Sequence, residues 1–328
     1  MEAAIAAVGT DGGDARDAAG ADGGSGSRAA TTDSRPPRPP GIDELPESLR
    51  DVIAHGHARV LDFQDERYAA LYADRVGALL AVSDLRDPLA LHAVTEASRR
   101  LALWMAYEDV AGVADLKTRR ERFRRIQSES AMQPDQNLKV SEYLKPGAEE
   151  LADIMPVGIG RRIMARVGTG KGCPSPLLGH VIHVRSNGVW GYRLLRLVAS
   201  LERIRRRSLR YRREQQAIEE WLRALAATLP ASAAFAGALA ELPRVRKGYS
   251  DTMQRGLAAW SRIVETLVRP ALSTGVAGDD ADRLRRAIAA AMADERHSAL
   301  DTVFRGEDVP GGVPVAFTPL RGGPANVH

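Results

Sequence analysis

Cysteine is almost missing from this chain: Cys173 is the only one in 328 residues. That excludes an internal disulfide, and one thiolate cannot hold an iron–sulfur cluster by itself. Long apolar runs are missing too. No window approaches the stretch of about 18 apolar residues that a membrane span requires. The start, MEAAIAAVGTDGG, has no basic leader, and its apolar run is too short for a signal peptide. These absences read as a cytoplasmic protein. No tandem repeat is present. Both ends lack a periodic apolar face. Residues 1–43 are almost wholly Ala, Gly, Pro, Ser, Thr and Asp and pass through RPPRPPG, while 301–328 include GGVPVAF and RGGPANV. Such compositions cannot bury enough surface to offset chain entropy, so the reading is a disordered leader, a disordered tail and a helical domain over 44–300. Acids, finally, are scarce in one region. Between Arg161 and Arg213 there are 14 Lys or Arg against Glu202 alone, a surplus of 13, which leaves −9 for the rest of a +4 chain. That asymmetry points to an acidic partner or an internal acidic face.

What is present is mostly helical periodicity. The stretch Asp87 to Ile126 opens with an N-cap aspartate and proline at the first helical position. Val94, Ala97, Leu101, Trp104 and Met105 then recur at helical spacing. Glu108 is the next position on that stripe, and a carboxylate there needs a positive or hydrogen-bonding partner. An unbroken helix would be too long for a compact domain, so a break is expected near Met105 to Asp109. Further helices follow Pro46, run through Tyr68 to Leu80, and fill most of the chain after Trp190, with stops at Pro230, Pro243 and Pro270. AEELADIM before Pro156 reads as a short helix. Asn137 to Leu144 and Gly179 to Gly188 are strand candidates, the second closed by an Asn-Gly turn, and one antiparallel pair is their simplest use. The fold class is therefore mainly α, a multi-helix domain with one small antiparallel β pair.

Several motifs invite chemistry. GTGKG at 168–172 resembles a phosphate loop, but Ala165 stands where glycine is required and Gly172 where Ser or Thr is required. His55 and His57 face different directions on a helix, and His180 and His183 point to opposite faces of a strand, so neither pair makes a metal site. The run RIRRRSLRYRR, with Arg203, Arg205, Arg206, Arg207, Arg210, Arg212 and Arg213, could neutralise phosphates. It has one aromatic and no nucleic-acid module around it, so nucleic-acid binding ranks as a lesser alternative. Its pattern suits a helix junction whose arginines meet acids elsewhere. The informative polar residues are Tyr107, Glu108 and Asp109 with Lys117, then Glu142 and Lys145, then Lys247, Tyr249 and Asp251. Each set mixes charge with an aromatic at the edge of an apolar element, which fits either a functional site or internal ion pairs.

Taken with their spacing, PESLRDVIAHGHARVLDFQDERYAALYADRV, RRLALWMAYEDVAGVADLKTRRERFRRI, VSEYLKPGAEEL, RREQQAIEEWL and RVRKGYSDTMQRGLAAWSRIVETLVRPAL look like the C-terminal region, a domain of unknown function, of bacterial indolepyruvate ferredoxin oxidoreductase beta-type proteins. The resemblance covers roughly 44–295, with Ser250 where the family pattern has glycine. It implies a system that oxidatively decarboxylates arylpyruvates to acyl-CoA and passes electrons to ferredoxin. The gamma-type catalytic domain of that family is not found before Glu44. The expectation is thus an accessory component without its own active site and without cofactors in this chain. Thiamine diphosphate and iron–sulfur clusters would belong to partner subunits, gamma-type and thiamine-diphosphate-binding, with ferredoxin a further candidate partner for the basic run. The alternative is an independent enzyme or ligand-binding protein with a pocket around Glu108, Lys117, Lys145, Lys247 and Tyr249.

Overall fold

A computed structural model describes residues 6–9, 42–130, 137–144, 147–168, 182–246, 250–293 and 298–306. Its organising element is α3 (Pro88–Met105), which packs against α1 (Glu47–Phe63), α2 (Glu66–Leu80), α9 (Leu209–Thr228) and α10 (Ala233–Glu241). Local chemistry explains where these helices begin. Asp65 accepts from the Tyr68 amide at 2.9 Å and Asp87 from the Leu89 amide at 2.9 Å. Ser208 and Ser232 do the same for α9 and α10, each supplying an acceptor to amides that have no intrahelical partner.

The apolar stripe of α3 faces inward: Val94, Ala97, Leu101 and Met105 are buried. They join Leu49, Ile53, Tyr68, Tyr72, Ile218, Leu225, Phe235 and Leu239 in one core running from Ile42 to Val303. Fully burying a side chain of this size contributes about 1.5–3 kcal/mol. Buried hydroxyls are satisfied by helix ends: Tyr68 Oη donates to the Met105 carbonyl at 3.1 Å and Tyr72 Oη to the Ser98 carbonyl at 3.2 Å. A Cβ on Gly56 would sit 2.3 Å from Tyr72 Oη, so glycine is what lets α1 come this close.

After Met105 the helix stops, and α4 (Val110–Thr118) and α5 (Arg120–Glu129) follow. The expected break is therefore present. A second, smaller core of Ala114, Val184, Leu195 and Ala199 joins α4 to β3 (Ile182–Arg185) and α8 (Val189–Ala199). The two sequence-predicted strands pair antiparallel, β2 (Asn137–Leu144) with β3, in the register Ser141 to Arg185 and Leu144 to Ile182. A four-residue strand from the leader, β1 (Ala6–Gly9), adds to the other end of β2. The turn after β3 is tied down by Asn187 Oδ1, which accepts from the Val140 amide at 3.1 Å.

Two elements depart from the pattern reading. Between α6 (Ala148–Ile154) and β3, the residues Val157–Gly168 form a helix, α7, that the glycine-rich start GIG does not announce. A Cβ at Gly160 would lie 2.4 Å from the Ala152 carbonyl oxygen, so the glycine serves close packing rather than a turn. Pro270 does not stop its helix. α11 (Ser250–Ile263) runs through a π-helical stretch, Val264–Val268, into α12 (Arg269–Thr274), and the chain turns only at Gly275 with φ 93°. Proline supplies no N–H and displaces the carbonyl four residues back, and a widened turn absorbs both. The remaining helices are α13 (Asp280–Ala293) and α14 (Ser298–Phe304). The latter extends past residue 300 because Val303 is buried in the core. Among the described residues, no helix is long and apolar enough to cross a membrane.

Candidate functional site

The consecutive residues Tyr107, Glu108 and Asp109 occupy the break between α3 and α4, and there they separate. Asp109 is buried at 7% exposure, while Glu108 is exposed. The buried carboxylate is thus one residue on from the position the helical stripe implies, because the helix ends at Met105 and its phase ends with it. Asp109 caps α4 by accepting from the Gly112 amide at 2.7 Å. It also meets Arg205 two ways, Nε to Oδ2 at 2.6 Å and Nη2 to Oδ1 at 3.2 Å. Arg205 Nη1 donates to the Phe63 carbonyl at 2.7 Å and to Gln64 Oε1 at 2.8 Å, and its guanidinium lies 4.0 Å over the Phe63 ring. Every strong donor and acceptor here is used. This centre is a lock between α1, α4 and the 3₁₀ segment Ser200–Arg207, not a binding site.

A second centre lies on β2. Glu142, 3% exposed, accepts from Lys117 on α4 and from Arg122 on α5, the latter at 2.6 Å. Burial alone would raise the Glu142 pKa, but the hydrogen bonds and charges of Lys117 and Arg122 outweigh it and the net shift is downward. Lys117 is therefore committed to Glu142. Lys145, Lys247 and Tyr249 lie outside the described residues, and Asp251 is the second residue of α11, without a described side chain. GTGKG beyond Gly168, Cys173 and His180 also lie outside them.

The basic run is divided rather than presented as one patch. Arg205 is buried, Arg206 pairs with Asp65, Arg210 with Glu214 at 3.7 Å and Arg213 with Asp153 at 3.4 Å. Burial pushes the Asp153 carboxyl up despite the nearby charges of Arg210 and Arg213. Arg203, Arg207 and Arg212 remain exposed.

The third centre is an open cleft of about 280 Å³ at the C-terminal end of α3. Arg59 of α1, Arg100 and Trp104 of α3, Tyr107 and Glu108 of the break, Arg210 and Glu214 of α9, and Arg244 and Arg246 line it. Glu214 Oε2 accepts from Trp104 Nε1 at 2.7 Å and from Arg246 Nη2 at 2.8 Å. The Arg246 guanidinium lies 4.7 Å from the Trp104 ring centre and 5.3 Å from that of Trp260. Arg210 lies 4.8 Å over Tyr107, whose other contact is an edge-on Phe63. Burial, then the charge of Asp109, pushes the Tyr107 hydroxyl well above the ordinary tyrosine range, so it keeps its proton.

Of the sequence-predicted residues, the cleft brings together Tyr107, Glu108 and Arg210. Arg59, Arg100, Trp104, Glu214 and Arg246 were not anticipated as a group. A signal for Glu214 does exist: it stands four residues before Ile218 on the apolar stripe of α9 and is 4% exposed. A carboxylate on a buried face asks for a cation, as argued for Glu108. No local pattern points to Arg246, which arrives from a distant segment.

Residues 49–266 match the model of a family of unknown function, DUF6537. No curated protein and no solved structure matches the chain.

Proposed function

The chain belongs to the DUF6537 family of unknown function, and we propose that it is a non-catalytic accessory component of an arylpyruvate ferredoxin oxidoreductase system, docking on partner subunits through the outer face of α8. One observation carries the docking. α8 buries only Leu195 and Ala199, while Trp190, Leu194 and Leu197 form a second apolar stripe at i, i+4 and i+7, with Trp190 81% exposed. An apolar stripe that is rimmed by charge and left in water fits a protein interface. Its rim is basic: Arg185 and Arg193 are exposed, and the surrounding region carries the 161–213 surplus of positive charge. The matching partner surface is apolar at its centre and acidic at its edge.

The choice of system rests on the resemblance of five segments to the C-terminal region of indolepyruvate ferredoxin oxidoreductase beta-type proteins. In that reading thiamine diphosphate and iron–sulfur clusters sit in the partner subunits, and this chain contributes binding and position rather than reacting groups.

Purification of the tagged full chain from its native cell tests this. The wild type retains gamma-type or thiamine-diphosphate-binding oxidoreductase subunits, and a Trp190→Asp, Leu197→Asp variant loses them with an unchanged melting temperature. Recovery of the wild type without any such subunit, across several salt concentrations, overturns the proposal.

A further inference from the structure

The arginine cleft at the end of α3 has more donors than its own acceptors use. Among the described residues, five arginines line it against two carboxylates, Glu108 and Glu214, and one of the five, Arg244, pairs with Glu241 outside it. Glu214 spends one oxygen on Trp104 and Arg246 and holds Arg210 only at 3.7 Å. Arg100 reaches Glu96 at 3.2 Å and shares that carboxylate with Arg99. Arg59 is exposed and forms no ion pair among the described residues.

Deeper in, Nε of Arg100, Arg210 and Arg246 and Oη of Tyr107 are buried with no hydrogen-bond partner among the described residues. Arg246 is 9% and Tyr107 8% exposed, so bulk water is not readily available to either. Buried polar groups are seldom left unmatched, because each costs its full desolvation. The Asp109 and Glu142 centres match their donors with acceptors, and elsewhere an unmatched guanidinium nitrogen stands singly, as Arg75 Nη1 does. The cleft instead gathers four unmatched donors in one place.

We propose that the cleft is a binding site for a small oxyanion, a carboxylate or phosphate group, held by Arg59, Arg100, Arg210 and Arg246 with the Tyr107 hydroxyl as a neutral donor. Guanidinium is suited to this: it is planar, permanently charged and donates in a fork that matches carboxylate and phosphate oxygens. The rings of Trp104 and Tyr107 fix the planes of Arg246 and Arg210, so their donors are oriented before a ligand arrives. The volume admits a small molecule rather than a polymer. Glu108 at the rim repels a second negative group, which favours ligands with a single anionic head. This inference stands on the cleft alone and does not depend on docking through α8.

Titration calorimetry of the full chain with inorganic phosphate and with phenylpyruvate, a carboxylate bearing an aromatic ring, tests it and separates the two oxyanions. At least one binds with a dissociation constant of about a millimolar or tighter, corresponding to roughly −4 kcal/mol, and raises the melting temperature. Arg59→Ala, which removes an exposed side chain, and Tyr107→Phe, which removes only the hydroxyl, each weaken that ligand by about fivefold or more, in line with the loss of one hydrogen bond to a charged group. Arg207→Ala, on the exposed part of the basic run, leaves it unchanged. Failure of both ligands to bind, or equal weakening by Arg207→Ala, overturns the proposal. Phosphate binding alone, or phenylpyruvate binding alone, assigns the oxyanion.

Discussion

At the residue scale, the contrast between two neighbouring acids is the clearest consequence of the geometry. Asp109 is buried against Arg205 and caps α4, whereas Glu108 looks outward. Removing the charge from Asp109 leaves a buried guanidinium unneutralised, so Asp109→Asn is expected to cost about 3–5 kcal/mol. Glu108→Gln should stay within about 0.5 kcal/mol, as surface changes do. Urea unfolding of both variants checks this, and equal midpoints would show that the pair is not the lock described. Glu142 gives a pH dependence of definite sign. Its folded pKa lies below that of the unfolded chain, so the folded state binds fewer protons in that window. The stabilisation is fully present above the ordinary glutamate value of about 4.3 and is lost as pH falls through the lowered folded value. Wild type and Glu142→Gln should therefore differ clearly in urea midpoint at neutral pH and converge under acid conditions. A difference that grows in acid would reverse the assignment.

At the element scale, two glycines in helices make opposite demands. Gly191 lies in the first turn of α8, where a Cβ would sit 2.0 Å from the Arg185 carbonyl oxygen, a backbone atom with little room to yield. Gly191→Ala should push α8 off β3 and cost about 1–3 kcal/mol, the usual range for overpacking. Gly77 is exposed in α2 with nothing within 4 Å of a Cβ. Gly77→Ala should raise stability by about 0.5–1 kcal/mol through helix propensity and lost unfolded-state freedom. Thermal melts of the two variants moving in opposite directions support this packing. α8 also shows what periodicity leaves open: apolar spacing marks a helix after Trp190 but not which of its faces is covered. Among the described residues, Leu195 and Ala199 are covered, while Trp190, Leu194 and Leu197 stay exposed.

At the scale of the whole molecule, α3 lies in the large core and α4, which follows it, in the small one, and the Asp109 lock sits where the two helices meet. The helix start at Asp87, the break after Met105, the strand at 137–144 and the Asn-Gly turn were legible, because each is set by residues a few positions apart. The passage through Pro270 and the helix at 157–168 were not, since packing overrides the local preference of proline and glycine there. Nor was the candidate site. In the cleft Glu214 meets Arg246 across 32 residues, and in the lock beside it Asp109 and Arg205 are 96 apart. The sequence by itself determined a helical protein with its apolar stripes, caps and excess of arginine. Only the tertiary structure decided which acids those arginines meet and which donors are left over, because pairing at a few ångströms depends on how whole helices cross, not on spacing along the chain.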